Sequence, residues 1–281
     1  MKEEALKLLK ELLALPTVNG RDDEGSAAKY LDAYFKAHGI ESRVDRIDQT
    51  HANVLAFIPG QSEETVIWNG HLDTVPYGDP KNWDSDPSVP TEKEGKIYAR
   101  GASDMKSGLA AMAYALTHLP NPPKKSIQFI GTCDEEKGGI GARRVVEENQ
   151  LCQSDFMIIG EPTDLRPGIA QKGCLWLRIR IMGATSHGAY PEKGVNAIHY
   201  LFRLADKLKD YVSNFRHPVL GASTAQVNWI SGGAAYNMTA DLCQAVLDIR
   251  MTPGLAADKP EQKILFRVSL HRISDLLTLV S

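Results

Sequence analysis

The chain has 281 residues, of which 43% are hydrophobic and 24% are charged, an ordinary composition for a globular protein with a sizeable core. Its net charge of only -3 argues against a nucleic-acid partner or a polybasic contact with a membrane. No apolar stretch reaches the length of a membrane span, and the N-terminal residues lack the pattern of an export signal, so we expect a cytoplasmic protein.

Two helices and two strands are predicted at the start of the chain. Leucines recur at helical spacing from Glu3 to Leu15, and Pro16 ends that pattern. A second amphipathic pattern runs from Gly25 to His38 and predicts another helix. Ser42 to Ile47 and Asn53 to Ile58 have the composition of strands.

The next apolar run, Val66-Ile67-Trp68, predicts a buried strand that ends close to His71 and Asp73. Residues two apart in an extended segment point to the same side of it. We therefore expect the imidazole and the carboxylate to lie together. The Asp73 carboxylate then either binds a metal itself or accepts the second ring N–H of a metal-bound His71.

More acidic residues follow later apolar segments. Asp104 precedes a predicted helix from Met105 to Leu119, Glu135 and Glu136 follow a predicted strand at Ile127–Ile130, and Glu161 follows a predicted strand at Phe156–Ile159. These side chains converge if the strands belong to one largely parallel sheet, because open α/β sheets bind ligands beyond their carboxyl edges. One histidine, a bridging aspartate and two glutamates suit zinc, with cobalt or manganese as substitutes.

Two further segments border the predicted metal site. The stretch from Tyr77 to Pro90 is rich in Pro and Asp and predicts a loop over the metal edge of the sheet. The glycines between Gly138 and Gly141 lack the GxxxxGK[ST] spacing of a phosphate loop. They predict instead a tight turn into a helix from Ala142 to Glu148.

The pattern changes after Arg166-Pro167-Gly168, which is typical of a hinge, and a second domain is expected to start near Gln171. Its predicted elements are the strand Leu175–Ile181, the helix Asn196–Val212 and the strands Thr224–Ile230 and Asp241–Arg250. This order is most of a ferredoxin-like α+β layer. We therefore predict an α/β catalytic domain at 1–170, with a mostly parallel mixed sheet flanked by helices, and an α+β lid or dimerisation domain at 171–281.

Five motifs together resemble one known family. They are His71-Leu72-Asp73, Gly101–Gly108, Asp134-Glu135-Glu136, Gly160–Thr163 and Ser186-His187-Gly188. In this order and spacing they resemble the co-catalytic zinc metallopeptidases and amidohydrolases that include acetylornithine deacetylase, succinyl-diaminopimelate desuccinylase, aminoacylase and glutamate carboxypeptidase. The resemblance runs from residue 1 to about Pro253. It implies a zinc aminopeptidase-like catalytic domain, two zinc ions per subunit and a homodimer formed through the inserted lid.

The resemblance also implies a role for each residue of the metal centre. His71 and Glu161 correspond to ligands of one zinc, Asp104 to the bridging carboxylate, Glu136 to a ligand of the other zinc, Glu135 to the general base, and Asp73 to the partner of His71. It further implies a cis peptide bond between Asp104 and Met105. Side chains of adjacent residues diverge from an extended backbone, which would let Glu135 act as base while Glu136 binds metal.

Three residues of the second domain match functional positions of the family. His187 corresponds to a histidine that reaches the partner subunit's active site and stabilises a tetrahedral oxyanion. Asn237 and Arg250 match positions that hold the carboxylate of the substrate, a task that suits a guanidinium fork. The alternatives are a surface histidine in a Gly-flanked turn for His187 and an exposed strand residue for Arg250.

The chain departs from the family at its end. Relatives continue past the lid and return to the catalytic sheet with a histidine that completes the second metal site. The tail after Pro253 has helical spacing but no such return segment, and His271 stands in a different sequence context. We expect the second metal to be held loosely by Asp104 and Glu136.

Three functional hypotheses follow. The first is a hydrolase of the amide bond of N-acyl amino acids, acting through a metal-activated water on a small substrate. The second is a di- or tripeptidase or carboxypeptidase of the same superfamily. The third is a truncated, catalytically impaired protein that binds metal or forms dimers.

Overall fold

The computed structural model describes residues 2–120, 122–154 and 156–255. They divide into two compact units, with the boundary between Arg166 and Pro167, inside the segment interpreted as a hinge. No helix in these ranges is both long and apolar enough to cross a membrane. The predicted tail helix and His271 lie outside the described residues.

The first unit is built on a mixed sheet. The strands of this unit are β1 (Glu41–Arg46), β2 (Ala52–Ile58), β3 (Ser62–His71), β4 (Thr91–Lys93), β5 (Lys96–Tyr98), β6 (Lys125–Thr132) and β7 (Phe156–Ile159). Five of these form the sheet, in the order β1-β2-β6-β3-β7. β3 pairs in parallel with β6 and with β7, so the three strands at this end of the sheet run in one direction.

The mixed sheet agrees with the sequence prediction, but the expectation of a mostly parallel sheet is wrong. β1 pairs antiparallel with β2, and β2 pairs antiparallel with β6. β1 and β2 are joined by a short turn at residues 47–51, which favours a hairpin, whereas parallel neighbours need a long crossover connection. The parallel part of the sheet is therefore confined to the strands that carry the predicted site.

Helices cover both faces of this sheet. They are α1 (Lys2–Ala14), α2 (Gly25–Ala37), α3 (Lys106–Thr117) and α4 (Ile140–Glu147). Side chains of α1, α2 and α3 pack with β2 and β6 in the main core, where the Phe35 and Phe129 rings meet edge to face at 5.0 Å. Ile67 and Ile130 point the other way and pack against Val145 of α4. The result is a three-layer α/β/α unit, as the alternating sides of a strand require.

The sequence analysis missed a hairpin in the first unit. β4 and β5 pair antiparallel directly after the predicted loop, and they are joined through Glu94 and Gly95, which both have positive φ. Such a pair of residues is typical of the type I′ turn that connects two-residue hairpins. The loop from Tyr77 to Pro90 itself contains a short 3₁₀ turn at Pro80–Asn82.

The second unit combines one helix with an antiparallel sheet. Its elements are β8 (Gly173–Met182), α5 (Ala197–Ser213), β9 (Arg216–His217), β10 (Gly221–Ala222), β11 (Thr224–Gly232) and β12 (Leu242–Met251). The long strands form a sheet in the order β11-β12-β8, and α5 packs with it in a core that includes Leu201 and Leu247. The predicted order of strand, helix, strand and strand is observed for the long elements, whereas the short antiparallel pair β9 and β10 was not predicted. The role of this unit as a lid or dimerisation domain stays a prediction.

Candidate metal centre and active site

Three parallel strands end at one edge of the first unit's sheet. β3 ends at His71, β6 at Thr132 and β7 at Ile159. The acidic residues of the predicted site follow directly, in the turn Asp134-Glu135-Glu136 and at Glu161. Because the carboxyl ends of parallel strands share an edge, residues far apart in the sequence meet there, as the sequence analysis expected.

The side chains at this edge form one cluster around His71. Its Nε2 atom lies 3.0 Å from Asp104 Oδ1, 3.8 Å from Glu161 Oε1 and 4.0 Å from Glu135 Oε2. Potential ligand atoms of His71, Asp104 and Glu161 all lie within 4.8 Å of one another, and so do those of His71, Glu135 and Glu136. His71 is buried, whereas the side chains of Asp104 and Glu135 are more than half exposed. The cluster is therefore open to a small molecule.

The segment that carries Asp104 is tied to the N-terminal helix. The Asp104-Met105 peptide bond is cis, as the resemblance implies. Met105 is fully buried, and the buried Lys106 Nζ donates hydrogen bonds of 2.9 Å to the carbonyl oxygens of Leu12 and Leu15 at the end of α1. Residues next to Asp104 thus anchor its backbone in the core while its carboxylate stays exposed.

A glycine contact brings α3 close to the end of β7. A Cβ atom added to Gly108 would lie 1.9 Å from the carbonyl oxygen of Gly160. Only glycine fits such a close approach between a helix and a strand end. The contact holds the start of α3, which follows Asp104, near Glu161.

The orientation of His71 is set by a main-chain group. Its Nδ1 atom lies 2.9 Å from the carbonyl oxygen of Asp73, and a carbonyl oxygen can only accept. Nδ1 therefore carries the proton, and in the neutral ring the lone pair of Nε2 faces Asp104 and Glu161. This is the tautomer that a metal ligand needs.

The Asp73 carboxylate is hydrogen bonded to main-chain groups of the glutamate turn. It lies 3.6 Å from His71 Nδ1, too far for a hydrogen bond. Its two oxygens instead accept from the main-chain N–H groups of Glu135 and Glu136, both at 3.1 Å. The carbonyl of Asp73 orients the imidazole, and its fully buried carboxylate holds the glutamate turn.

The backbone at Glu135 and Glu136 is a turn and is not extended. Asp134 has a φ of 60°, and its carbonyl oxygen accepts from the N–H groups of Gly138 and Gly139. The expectation that adjacent glutamates diverge assumed an extended backbone and is wrong here. Both carboxylates reach the neighbourhood of His71, and Glu135 is the more exposed of the two.

The electrostatics of the cluster show an excess of negative charge. Burial raises the pKa of Glu161 to about 7, and the charges of Asp104, Glu135 and Glu136 add to this effect against the opposing charge of His71. Burial also raises the pKa of Glu136. For His71, burial lowers the pKa, but Asp73, Asp104 and Glu161 outweigh it and raise the pKa to about 10. In the described part of the chain, no lysine or arginine pairs with Asp104, Glu135, Glu136 or Glu161.

These residues fit a divalent cation. The cluster offers one imidazole nitrogen, protonated on its far side, and several carboxylate oxygens whose cationic partner among the described residues is His71. A mixed nitrogen and oxygen donor set of this kind suits zinc, cobalt or manganese.

The remaining predicted residues lie in the second unit. His187 and Met238 form an isolated antiparallel bridge, and the Gly188 N–H donates to the Asn237 carbonyl at 2.7 Å, so His187 and Asn237 are neighbours. His187 is exposed, and its Nδ1 accepts from the Ala189 N–H at 3.1 Å, which leaves Nε2 as the donor of the neutral ring.

Arg250 is exposed on β12 and is already paired. Its Nε donates to Asp248 Oδ1 at 2.8 Å, and a second guanidinium nitrogen donates to Asp248 Oδ2 at 3.1 Å. This hydrogen bonding with Asp248 raises the pKa of Arg250 and lowers that of Asp248. A substrate carboxylate that binds Arg250 would have to share the guanidinium with Asp248 or displace the Asp248 carboxylate from it.

Sequence reasoning missed several residues that hold the site. Asn19 and Glu24 form a hydrogen-bonded group with Asp134 behind the glutamate turn, and Lys106 anchors the Asp104 segment. Of the missed residues Asn19, Glu24 and Lys106, only Lys106 had a usable signal, since it follows Asp104 closely. The burial of Glu24 has no signature in its local sequence.

Comparison with known proteins identifies the family of this chain. The sequence profile of peptidase family M20/M25/M40 matches residues 67–262, which include His71, Asp104, Glu135, Glu136 and Glu161. The chain belongs to this family. Members of the family are metal-dependent hydrolases, which agrees with the donor set at the sheet edge.

Similar proteins extend the family match over most of the chain. An acetylornithine deacetylase of Proteus mirabilis is 35% identical over 265 residues, covering 89% of this chain and 67% of that protein. The crystal structure of an M20 family metallo-carboxypeptidase from Sulfolobus solfataricus has a TM-score of 0.72 at 21% identity, covering 89% of this chain and 71% of that one. A tripeptidase from Staphylococcus aureus has a TM-score of 0.66 at 24% identity, covering 90% and 68%. The two crystal structures are similar to this chain in fold, and the deacetylase is similar to it in sequence.

Proposed function

We propose that this protein hydrolyses the amide bond of N-acyl amino acids and that its substrates resemble that of acetylornithine deacetylase. The observation that carries the proposal is the cluster of His71, Asp104 and Glu161 beside the exposed Glu135. The 35% identity to an acetylornithine deacetylase supports the choice of substrate class. The family and the cluster together support amide hydrolysis through an activated water.

Metal binding is assigned to four residues. We propose His71, Asp104 and Glu161 as ligands of one ion, and Asp104 with Glu136 as ligands of a second, with zinc as the ion and cobalt or manganese as substitutes. Bound ions would supply Lewis acids that lower the pKa of water and polarise the scissile carbonyl. The raised pKa of Glu161 supports this assignment, because carboxylates held together without compensating charge favour a cation.

Glu135 is the proposed general base. Its side chain is 55% exposed, so it can meet a water and a substrate at the cluster. Its carboxylate takes a proton from the attacking water and passes it to the amine that leaves. Both steps need one carboxylate that is not used up in binding metal, and Glu136, which is less exposed, is the proposed metal ligand of the pair.

The second unit is the proposed lid and dimerisation domain of a homodimer. His187 would donate its Nε2–H to the oxyanion in the partner's site, which agrees with the hydrogen bond that its Nδ1 accepts from Ala189. Asn237, next to it, and Arg250 would bind the carboxylate of the substrate. The proposed substrates are small N-acyl amino acids or short peptides.

Steady-state kinetics on the zinc-loaded protein test this proposal. We expect kcat/KM for N-acetylornithine to exceed that for dipeptides and tripeptides by at least about tenfold, the size of one well-placed contact. N-succinyl amino acids and C-terminal peptide substrates complete the panel. A preference for peptides would overturn the deacylase assignment, and the Glu135→Gln variant should lose at least about a hundredfold in kcat.

Metal analysis addresses the remaining hypothesis. Fewer than about one zinc per chain, together with no turnover of any substrate after zinc or cobalt is added, would favour a metal-binding or dimerising protein without catalysis.

A further inference from the structure

The side-chain amide of Asn19 contacts three carboxylates behind the metal centre. Its Nδ2 atom lies 3.1 Å from Glu24 Oε1, 3.1 Å from Asp73 Oδ2 and 2.9 Å from Asp134 Oδ1. An amide nitrogen carries two hydrogens, so these acceptors share them. Asn19 thus joins three carboxyl groups from separate parts of the chain.

The backbone of Asn19 is fixed beside Asp73. Val18 and Thr74 form an isolated parallel bridge, and the Asn19 N–H donates to the Thr74 carbonyl at 2.8 Å. The N–H of Thr74 in turn donates to the Thr17 carbonyl at 2.9 Å. The segment before α2 therefore runs along the segment that carries His71 and Asp73.

Glu24 extends this group to the glutamate turn. Its side chain is fully buried, and its Oε2 accepts from the Asp134 N–H at 2.8 Å while its Oε1 accepts from Asn19. The nearest basic group among the described contacts is the His51 ring, with Nε2 at 3.7 Å. Burying a carboxylate costs free energy that hydrogen bonds must offset, so these contacts specify the backbone at Asp134.

Asp134 and Asp73 then hold the turn from both sides. The Asp134 carboxylate accepts from the Ile140 N–H at 3.1 Å, and its carbonyl accepts from Gly138 and Gly139. The Asp73 carboxylate accepts from the N–H groups of Glu135 and Glu136. Every main-chain N–H from Asp134 to Glu136 is thereby bonded to a carboxylate that Asn19 contacts.

We infer that Asn19 and Glu24 are positioning residues for the Asp134-Glu135-Glu136 turn, and that they hold the Glu135 and Glu136 carboxylates where the metal ions and the water are bound. This inference rests on the proposed roles of Glu135 and Glu136. Neither residue is expected to touch the substrate. Their loss should therefore change metal affinity and kcat and leave KM nearly unchanged.

Two variants and one matched control test the inference. Asn19→Ala removes the shared donor from a half-buried position, and Glu24→Gln keeps the side-chain volume but turns one acceptor into a donor that faces another donor. Asp45→Asn makes the same carboxylate-to-amide change at a buried residue that accepts from Arg144 and Gln150 and is not one of the proposed site residues. Each protein is measured by thermal unfolding without metal, by Zn²⁺ titration calorimetry, and by kcat and KM.

We expect both variants to lose at least about tenfold in Zn²⁺ affinity and in kcat, with KM within about threefold of the original value. Asp45→Asn should lower the unfolding temperature and leave Zn²⁺ affinity and kcat within about twofold. The inference is overturned if Asn19→Ala keeps both quantities within about twofold, or if Asp45→Asn loses as much as the two variants. If Glu24→Gln does not fold, the results for Asn19→Ala alone decide whether the inference holds.

The Zn²⁺ titration separates this inference from the proposed function. If the unaltered protein binds Zn²⁺ but hydrolyses no tested amide, the proposed function fails. The comparison of Zn²⁺ affinities still decides whether Asn19 and Glu24 hold the turn.

Discussion

His71 Nε2 and Asp104 Oδ1 lie 3.0 Å apart although the two residues are 33 positions apart in the sequence. The contact joins the end of β3 to the segment before α3, and Glu161 from the end of β7 lies within the same group. Neither β3 nor α3 alone contains a site. The sheet and the anchored Asp104 segment bring the two side chains of the candidate metal centre together.

The Asp104→Asn variant should lose metal binding. The amide can still face His71, but it removes the negative charge that is proposed to bind both ions. We expect Zn²⁺ affinity to fall at least about a hundredfold. Asp206→Asn, at an exposed position of α5, is the control and should leave Zn²⁺ affinity unchanged. Unchanged Zn²⁺ affinity in Asp104→Asn would refute the bridging role.

The Gly108→Ala variant should damage both the fold and the metal centre. Alanine normally stabilises a helix relative to glycine by roughly 0.5–1 kcal/mol, but here its Cβ would collide with the Gly160 carbonyl. We expect a net loss of about 1–3 kcal/mol in unfolding free energy and weaker Zn²⁺ binding, because α3 must move away from β7.

Ala111→Gly, on the exposed side of the same helix, is the matched control. It should cost about 1 kcal/mol in the free energy of unfolding and leave Zn²⁺ affinity unchanged. Equal effects of the two variants on Zn²⁺ binding would show that the close contact does not place Asp104 near Glu161.

The Lys106→Met variant should be less stable, by an amount that depends on pH. Methionine fills a similar volume but cannot donate to the carbonyls of Leu12 and Leu15, which should cost roughly 2–4 kcal/mol at neutral pH. Burial lowers the pKa of Lys106 from 10.5 to about 8, so the folded state binds this proton less tightly than the unfolded state. The stability that Lys106 contributes should therefore increase as pH rises from about 8 towards 10.5.

Urea unfolding at pH 7.5 and pH 9.5 measures this difference. The gap in unfolding free energy between the unaltered protein and Lys106→Met should widen at the higher pH, whereas Lys29→Met, at a mostly exposed residue, should show no such change. A gap that stays constant or narrows would contradict the account of the buried ammonium.

Zn²⁺ binding should release protons. His71, with a pKa of about 10, is protonated at pH 8 in the metal-free protein and must lose that proton to bind an ion. We expect about one proton per chain at pH 8, and more at pH 7, where Glu161 with a pKa of about 7 is half protonated. Apparent Zn²⁺ affinity should consequently rise with pH up to about pH 10. Calorimetry in buffers of different ionisation enthalpy counts the protons, and no release at pH 8 would argue against His71 as a ligand.

The sequence was sufficient to predict the site residues that stand at the ends of strands. His71, Glu161 and the acidic pair each stand directly after a strand-like run, and a shared sheet edge brings them together. The direction of β2 could not be predicted in this way, because a hydrophobic run does not indicate whether the neighbouring strand is parallel or antiparallel to it. The hairpin β4–β5 was missed because each of its strands has only three residues.

The supporting contacts could not be predicted, because they depend on backbone conformation and distant neighbours. The left-handed conformation of Asp134 turns both glutamates towards His71, and nothing in the sequence Asp-Glu-Glu requires it. Asn19 meets Asp134 across 115 positions of the chain. Such contacts appear only when the tertiary structure is known.

The central claim is that His71, Asp104 and Glu161 hold a metal ion at the carboxyl edge of the sheet. Crystals of the protein grown with zinc, with diffraction recorded on both sides of the zinc absorption edge, measure this directly. The account predicts a zinc peak about 2.0–2.2 Å from His71 Nε2 and from carboxylate oxygens of Asp104 and Glu161, with a second peak near Asp104 and Glu136. Zinc bound only elsewhere on the molecule, or no zinc at His71, would contradict it.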